Sequence, residues 1–155
     1  SFYYFGIIYI QHMEQEDTID YNLRKTWNKI QKMYNYTASE YEGNMSLAMI
    51  VLNIDIYEGT LSTQIGPLMG MEATSISRSL NRLEKMGIIE RKHDEDDKRK
   101  VKIHLTSLGR KRREIAKKTV LDFNDSIISH FKKDEMRIFF EILNKINNVL
   151  DMKGI

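Results

Sequence analysis

Residues 74–109, TSISRSLNRLEKMGIIERKHDEDDKRKVKIHLTSLG, restrict the fold of this chain more than any other stretch. Ile76, Leu80, Leu83 and Met86 recur at intervals of four, three and three. They draw one apolar stripe on a helix of about 3.6 residues per turn. The other face carries Thr74, Ser75, Ser77, Arg78, Asn81 and Arg82, with no carboxylate among them. Arginine pairs with guanine, asparagine with adenine, and serine or threonine with several acceptors. Taken alone, such a face suits either base edges or plain water. Gly87 follows the stripe, where a helix C′ residue takes positive φ. Ile88–Lys92 then begins with β-branched residues, and Val101–Leu105 alternates apolar Val, Ile and Leu with Lys and His. Both patterns predict short strands. Residues 93–100 between them contain no apolar side chain, so the connecting loop must project into solvent. Helix, glycine, strand, charged tip and strand, in that order, predict a winged helix-turn-helix. Its recognition helix, about residues 72–86, suits a major groove, and its wing, about 88–105, suits the neighbouring groove.

Charge supports this reading. From Glu72 to Arg113 there are thirteen Lys or Arg against seven Asp or Glu, a surplus of six, whereas the whole chain carries +2. The remainder is therefore acidic, and the cationic excess marks the segment that would meet a polyanion.

These residues resemble the MarR family of bacterial transcriptional regulators. The resemblance lies in the helix pattern SISRSLNRLEKMGIIER, the wing DDKRKVKIHLT and the LTSLG that opens the next helix. The family's wing signature is Asp-x-Arg, a short spacer, a hydrophobic strand ending Leu-Thr, and a glycine. It falls on Asp97, Arg99, Val101, Leu105, Thr106 and Gly109. The helical order fits from about residue 18 to residue 152. The resemblance implies a homodimer held by helices at both chain ends, and often a small-molecule pocket between the DNA-binding and dimerisation parts. It also implies that Arg99 enters a minor groove and that Asp97 holds the wing through an ion pair. Gly66-Pro67 departs from the pattern, since proline within a helix removes a hydrogen bond; the first helix of the helix-turn-helix is expected to be short or kinked.

At 155 residues the chain makes one compact protomer with a sizeable core. Its 41% hydrophobic and 30% charged residues are ordinary for a globular chain. Cysteine is absent, which excludes disulfides, thiolate metal sites, cysteine nucleophiles and, within the resemblance, cysteine-based peroxide sensing. The nine methionines fall at apolar spacings and read as core filler. Residues 1–10, SFYYFGIIYI, are too short to span a bilayer and lack the basic start of a signal peptide. Met13-Glu-Gln-Glu-Asp looks like an ordinary start, so residues 1–12 are expected to be leader sequence. No membrane association is expected, and the cytoplasm is the expected compartment.

The rest of the chain reads as helices in a mostly α fold with a small β-wing. Leu23, Trp27, Ile30 and Tyr34 share one face of a helix from Asp20 to about Glu42, ended by Gly43. Ser46 is the expected N-cap of a helix that is apolar almost all round through Tyr57 and closed by Gly59. Ser62 should cap a short helix to Leu68, Thr106 a long one to Phe131, and Asp134 the last. The first helix and the last two carry more apolar surface than a small winged helix covers, and a symmetric dimer would hide it. The expected organisation is an N-terminal arm over residues 1–17, a dimerisation helix over 18–43, the winged helix over 44–106 and C-terminal dimerisation helices over 107–155.

Trp27, Tyr34 and Tyr57 line either a pocket for a small apolar or aromatic effector or ordinary core and dimer contacts. His12, His93, His104 and His130 show no metal-ligand spacing, and no GxSxG or P-loop is present. Neither metal, cofactor nor catalysis is expected. The reading is a homodimeric transcriptional regulator on a pseudo-palindromic stretch of double-stranded DNA. Ser75, Ser77, Arg78, Asn81 and Arg82 are its candidate base-edge residues, Ser62, Thr63, Thr74 and Lys98 its phosphate contacts, and Arg99 its minor-groove residue. A winged helix used for protein–protein contact is the alternative.

Overall fold

The computed structural model describes residues 14–94 and 96–154. The expectations placed on residues 1–13 lie outside them. After a 3-10 turn at Gln15–Asp17 come α1 (Ile19–Ser39), α2 (Met45–Leu52), β1 (Thr60–Leu61), α3 (Ser62–Met69), α4 (Ala73–Lys85), β2 (Ile89–His93), β3 (Val101–Leu105), α5 (Ser107–Ile128) and α6 (Lys133–Met152). Two compact units result, one extending to Arg113 and one from Glu114 onward.

In the first unit the apolar periodicities meet in one core. The stripe of α4 buries Ile76, Leu80 and Leu83. They pack with Leu47, Ile50 and Val51 of α2, Ile65 of α3, Ile88 and Ile89, and Ile103 and Leu105 of β3. The sheet is antiparallel in the order β1-β3-β2, with Ile89 opposite Leu105, Arg91 opposite Ile103 and His93 opposite Val101. β1 adds Thr60 opposite Ile103. The alternation of β3 places Ile103 and Leu105 in the core, as a half-buried strand requires. Among the described residues no polar or charged side chain is buried.

Several helix ends differ from the sequence expectation, each for a local reason. Asn44, not Ser46, caps α2: it is extended (φ −146°, ψ 172°) and its side chain accepts the Leu47 N–H at 2.9 Å. Ser46 lies inside the helix and donates to the Met71 sulfur at 3.7 Å. α2 ends at Leu52 rather than running to Tyr57. Asn53 bonds back to the Met49 carbonyl at 2.8 Å, and the Asp55 carboxylate accepts the N–H groups of Tyr57 and Glu58 at 2.8 Å each. Side chains of this kind offer the backbone an alternative to helix. α1 stops at Ser39, and Glu42 takes φ 58° in the turn that follows. Ser62 is the first residue of α3 and Leu61 its cap, without a side-chain bond, so Ser62 does not cap. α3 is short, eight residues with Pro67 inside, and Gly70 ends it at φ 60°. Thr106 Oγ1 does cap α5, accepting the Gly109 N–H at 3.0 Å, and α5 ends at Ile128 rather than Phe131. Asp134 lies within the first turn of α6, where Glu135 accepts the Lys132 N–H at 2.7 Å.

In the second unit, residues 114–154, no side chain is buried. Ile138, Phe139, Phe140, Ile142 and Val149 are each about half exposed on α6.

Candidate nucleic-acid interface

The polar face of α4 emerges as the sequence suggested. Thr74, Ser75, Ser77, Arg78, Asn81 and Arg82 are all exposed, and the helix has no acidic residue in its first turn. At its other end, the Gly87 N–H bonds the Glu84 carbonyl and the Ile88 N–H the Leu83 carbonyl, with Gly87 at φ 68°. This is a glycine stop, and it aims the chain into β2.

Two of these residues have partners that sequence spacing did not reveal. Arg82 Nη2 donates to the Glu42 carbonyl at 2.9 Å, which draws it toward the α1–α2 turn. Asn81 Oδ1 accepts from Arg91 Nη2 at 2.8 Å, and Arg91 also pairs with Glu84. Arg91 on the wing strand therefore fixes the orientation of the Asn81 amide. One lone pair and both Nδ2 donors of Asn81 remain for another partner.

The wing tip is a built loop. Asp97 Oδ1 accepts both the Arg99 N–H and Arg99 Nε at 3.1 Å. The Arg99 side chain nonetheless stays 91% exposed, so the pairing holds it without hiding it. Sequence reasoning missed Asp94, which organises the tip more extensively. Its Oδ1 accepts the N–H groups of Asp96 and Asp97 at 3.0 Å each, and its Oδ2 pairs with Lys102 at 3.1 Å. His93 Nδ1 lies 2.8 Å from the Lys98 carbonyl, and the Asp94 N–H bonds the Lys100 carbonyl at 3.0 Å. The Lys102 ammonium and these N–H groups hold the Asp94 carboxyl below the usual aspartate range; Arg99 does the same for Asp97. Asp94 in turn raises Lys102. Ser62 is half-buried and Thr63 exposed at the start of α3.

The three aromatic residues offered as an effector pocket do not share the groove that one of them lines. Trp27 lines a groove of about 820 Å³ among α1, α2 and α3, which Tyr34 and Tyr57 do not line. Tyr57 is 79% exposed, because α2 ends before reaching it. No three His, Asp or Glu side chains gather at metal-binding distance among the described residues. No helix among them is long and apolar enough to cross a membrane.

Comparison with known proteins agrees with this geometry. A curated relative, the uncharacterised HTH-type transcriptional regulator YdgJ of Bacillus subtilis (strain 168), is 28% identical over 85 residues, 52% of this chain and 52% of that protein. The match thus spans about half the relative's length. The S. aureus MepR–DNA complex superposes with a TM-score of 0.79 at 18% identity, over 85% of this chain and 98% of that one. Streptococcus pneumoniae FabT in complex with DNA gives 0.76 at 21% identity, over 86% and 95%. At these identities the two structures share the fold. Residues 44–101, from the cap of α2 to the first residue of β3, match the model of the MarR family.

Proposed function

We propose that this protein is a homodimeric transcriptional regulator of the cytoplasm. It binds a pseudo-palindromic operator in double-stranded DNA, with an affinity that a small apolar or aromatic effector modulates. The observation that carries the reading is the pairing of an exposed α4 face, free of acid along its first turns, with a wing whose acidic residues Asp94 and Asp97 are spent on its own backbone and cations. The cationic surplus of the segment is thereby left to meet phosphates.

In this reading Ser75, Ser77, Arg78 and Asn81 face base edges in the major groove. Ser62, Thr63, Thr74 and Lys98 meet phosphates. The Leu61 cap of α3 makes no side-chain hydrogen bond to the helix, so the first N–H groups of α3 suit a phosphate as well. Arg99, held by Asp97 yet exposed, reaches the minor groove. Residues 44–106 do the reading, and residues 18–43 and 107–155 hold the dimer. α1 and α6 have no buried residue, and apolar surface of that extent on two helices calls for a partner. A two-fold dimer sets two recognition helices about one DNA turn apart, roughly 34 Å.

The test is fluorescence anisotropy with genomic fragments from around the protein's own gene, at two salt concentrations, with Arg99→Ala as control. The expected result is tight, sequence-selective binding that falls with salt and weakens in the variant. Weak binding to every fragment, indifferent to salt, would sink the proposal.

A further inference from the structure

The ordinary major-groove partner of an asparagine is adenine, because the amide accepts from N6 while it donates to N7. Asn81 is not free to do this. Its amide meets Arg91 Nη2 at 2.8 Å, and a guanidinium carries donors only. The amide atom that faces it must therefore be Oδ1 and not Nδ2. An asparagine facing water can present either end; here the partner decides.

Arg91 is itself held. It stands on β2 two residues after the buried Ile89, on the same face of the strand, and pairs across the sheet with Ile103, which is fully buried. Ile89 and Ile103 pack in one core with Leu80 and Leu83 of α4, so the root of the Arg91 side chain is fixed relative to that helix. Its other terminal nitrogen, Nη1, pairs with Glu84, one turn after Asn81 on α4. One guanidinium thus spans two side chains at the helix spacing of three, with one nitrogen on each. The Arg91 side chain is only 31% exposed, which limits the access of competing water. Glu84 offsets the cationic charge, so what Arg91 imposes on Asn81 is a direction. The oxygen is turned to the wing strand, and Nδ2 lies on the other side of the amide, on the exposed face that also carries Ser77 and Arg78.

We infer that Asn81 reads guanine and not adenine, because Arg91 fixes its amide as a donor. The inference rests on the regulator reading above. Guanine shows two acceptors at its major-groove edge, O6 and N7, whereas adenine shows one acceptor and the N6 amino donor. The two Nδ2 hydrogens suit both guanine acceptors. Against adenine they find N7 alone, and N6 must share Oδ1 with a cationic donor that already holds it. A donor left poorly paired in a closed interface weakens that complex. Arg91 is a positioning residue, acting on the base through Asn81.

The lock is tested first without DNA. In NMR spectra of the full chain, the Asn81 Nδ2 proton pair should be dispersed in wild type and collapse toward free-amide shifts in Arg91→Met. A free-amide pattern in wild type overturns the inference, whatever the protein does with DNA. Selection from a random duplex library, followed by anisotropy on duplexes that differ at single base pairs, then gives the preference at each position. At the position that Asn81→Ala flattens, wild type should favour guanine over adenine about fivefold or more. Arg91→Met should lose most of that preference and turn toward adenine there, with preferences elsewhere unchanged. Asn81→Asp keeps an acceptor for Arg91 but has no donor, so it should turn the same position toward cytosine, whose N4 donates. If Arg91→Met fails to fold, Asn81→Asp carries the test. No position flattened by Asn81→Ala, an adenine preference in wild type, or uniform weakening by Arg91→Met with the guanine preference intact overturns the inference. A dispersed Asn81 amide in a protein that selects no sequence from the library defeats the regulator reading instead, and the base assignment with it.

Discussion

A β-carbon on Gly109 would collide with the Ile88 carbonyl oxygen and lie 3.1 Å from its carbonyl carbon. The approach is fixed from both sides. The Thr106 N–H donates to that same Ile88 carbonyl at 3.1 Å, and Thr106 Oγ1 accepts the Gly109 N–H at 3.0 Å. Glycine is needed here for clearance between the start of α5 and the base of the wing. Gly109→Ala must push them apart, an overpacking that costs about 1–3 kcal/mol. Calorimetry should show Tm falling by roughly 2–12 °C. The exposed Ser107→Ala should stay within about 0.5 kcal/mol of wild type. A Gly109→Ala protein as stable as wild type would mean that α5 yields at no cost.

Arg78 stands on the exposed face of α4, one turn from Asn81. If it reads a guanine, Arg78→Ala should cost about 1–3 kcal/mol at one base position and leave other positions alone. A binding matrix over single-base operator variants measures this. Equal weakening on all of them would demote Arg78 to a phosphate contact.

The elements legible in the sequence are those whose signal is local. The spacing of Ile76, Leu80 and Leu83 and the alternation of Val101, Ile103 and Leu105 depend only on near neighbours, and both pack as read. What escaped depends on choices between equivalent residues or on distant partners. Asn44 and Ser46 are both good caps two residues apart, and the turn that bonds the Gly43 N–H to the Ala38 carbonyl decides between them. Residues 94–97 are four consecutive acids, and only the folded hairpin turns Asp94 toward Lys102. Arg82 and Glu42 are forty residues apart, so nothing in their spacing links them. Tyr57 shares the apolar character of α2, but the Asp55 side chain turns the chain before the helix can reach it.

The wing should hold its form through the whole neutral and mildly acidic range. Asp94 and Asp97 are shifted down in the folded state, by Lys102 and backbone N–H groups for the first and by Arg99 for the second. Their stabilisation is complete above the ordinary aspartate pKa of about 3.9 and is lost as pH falls through the lower folded values. The amide resonances of Asp97 and Arg99 should therefore stay sharp and unshifted from pH 7 down to about pH 4.5, then change below the ordinary aspartate value. Asp94→Asn should loosen the same amides at neutral pH, because the Lys102 pairing goes with the charge. Broadening between about pH 6 and pH 5 in the wild-type protein would point to histidine as the controlling group.

Ile138, Ile142 and Val149 recur at intervals of four and seven along α6, so they share one face, and each is about half exposed. Residues 114–154 bury no side chain, so this unit has no core to lose. Its helices need apolar cover from a second copy if the dimer reading is right. Ile142→Glu then places an unpaired carboxylate in the interface, at a cost on the order of 3 kcal/mol. That is about a hundredfold in dimer dissociation. Sedimentation velocity should show wild-type dimers and a shift toward monomer in the variant. Operator affinity should fall with it, since a monomer reaches one half-site only. The winged-helix core in the first unit contains no part of α6, so unfolding of that core is not expected to accompany the loss. A variant that stays dimeric with full operator affinity would move the interface off this face of α6.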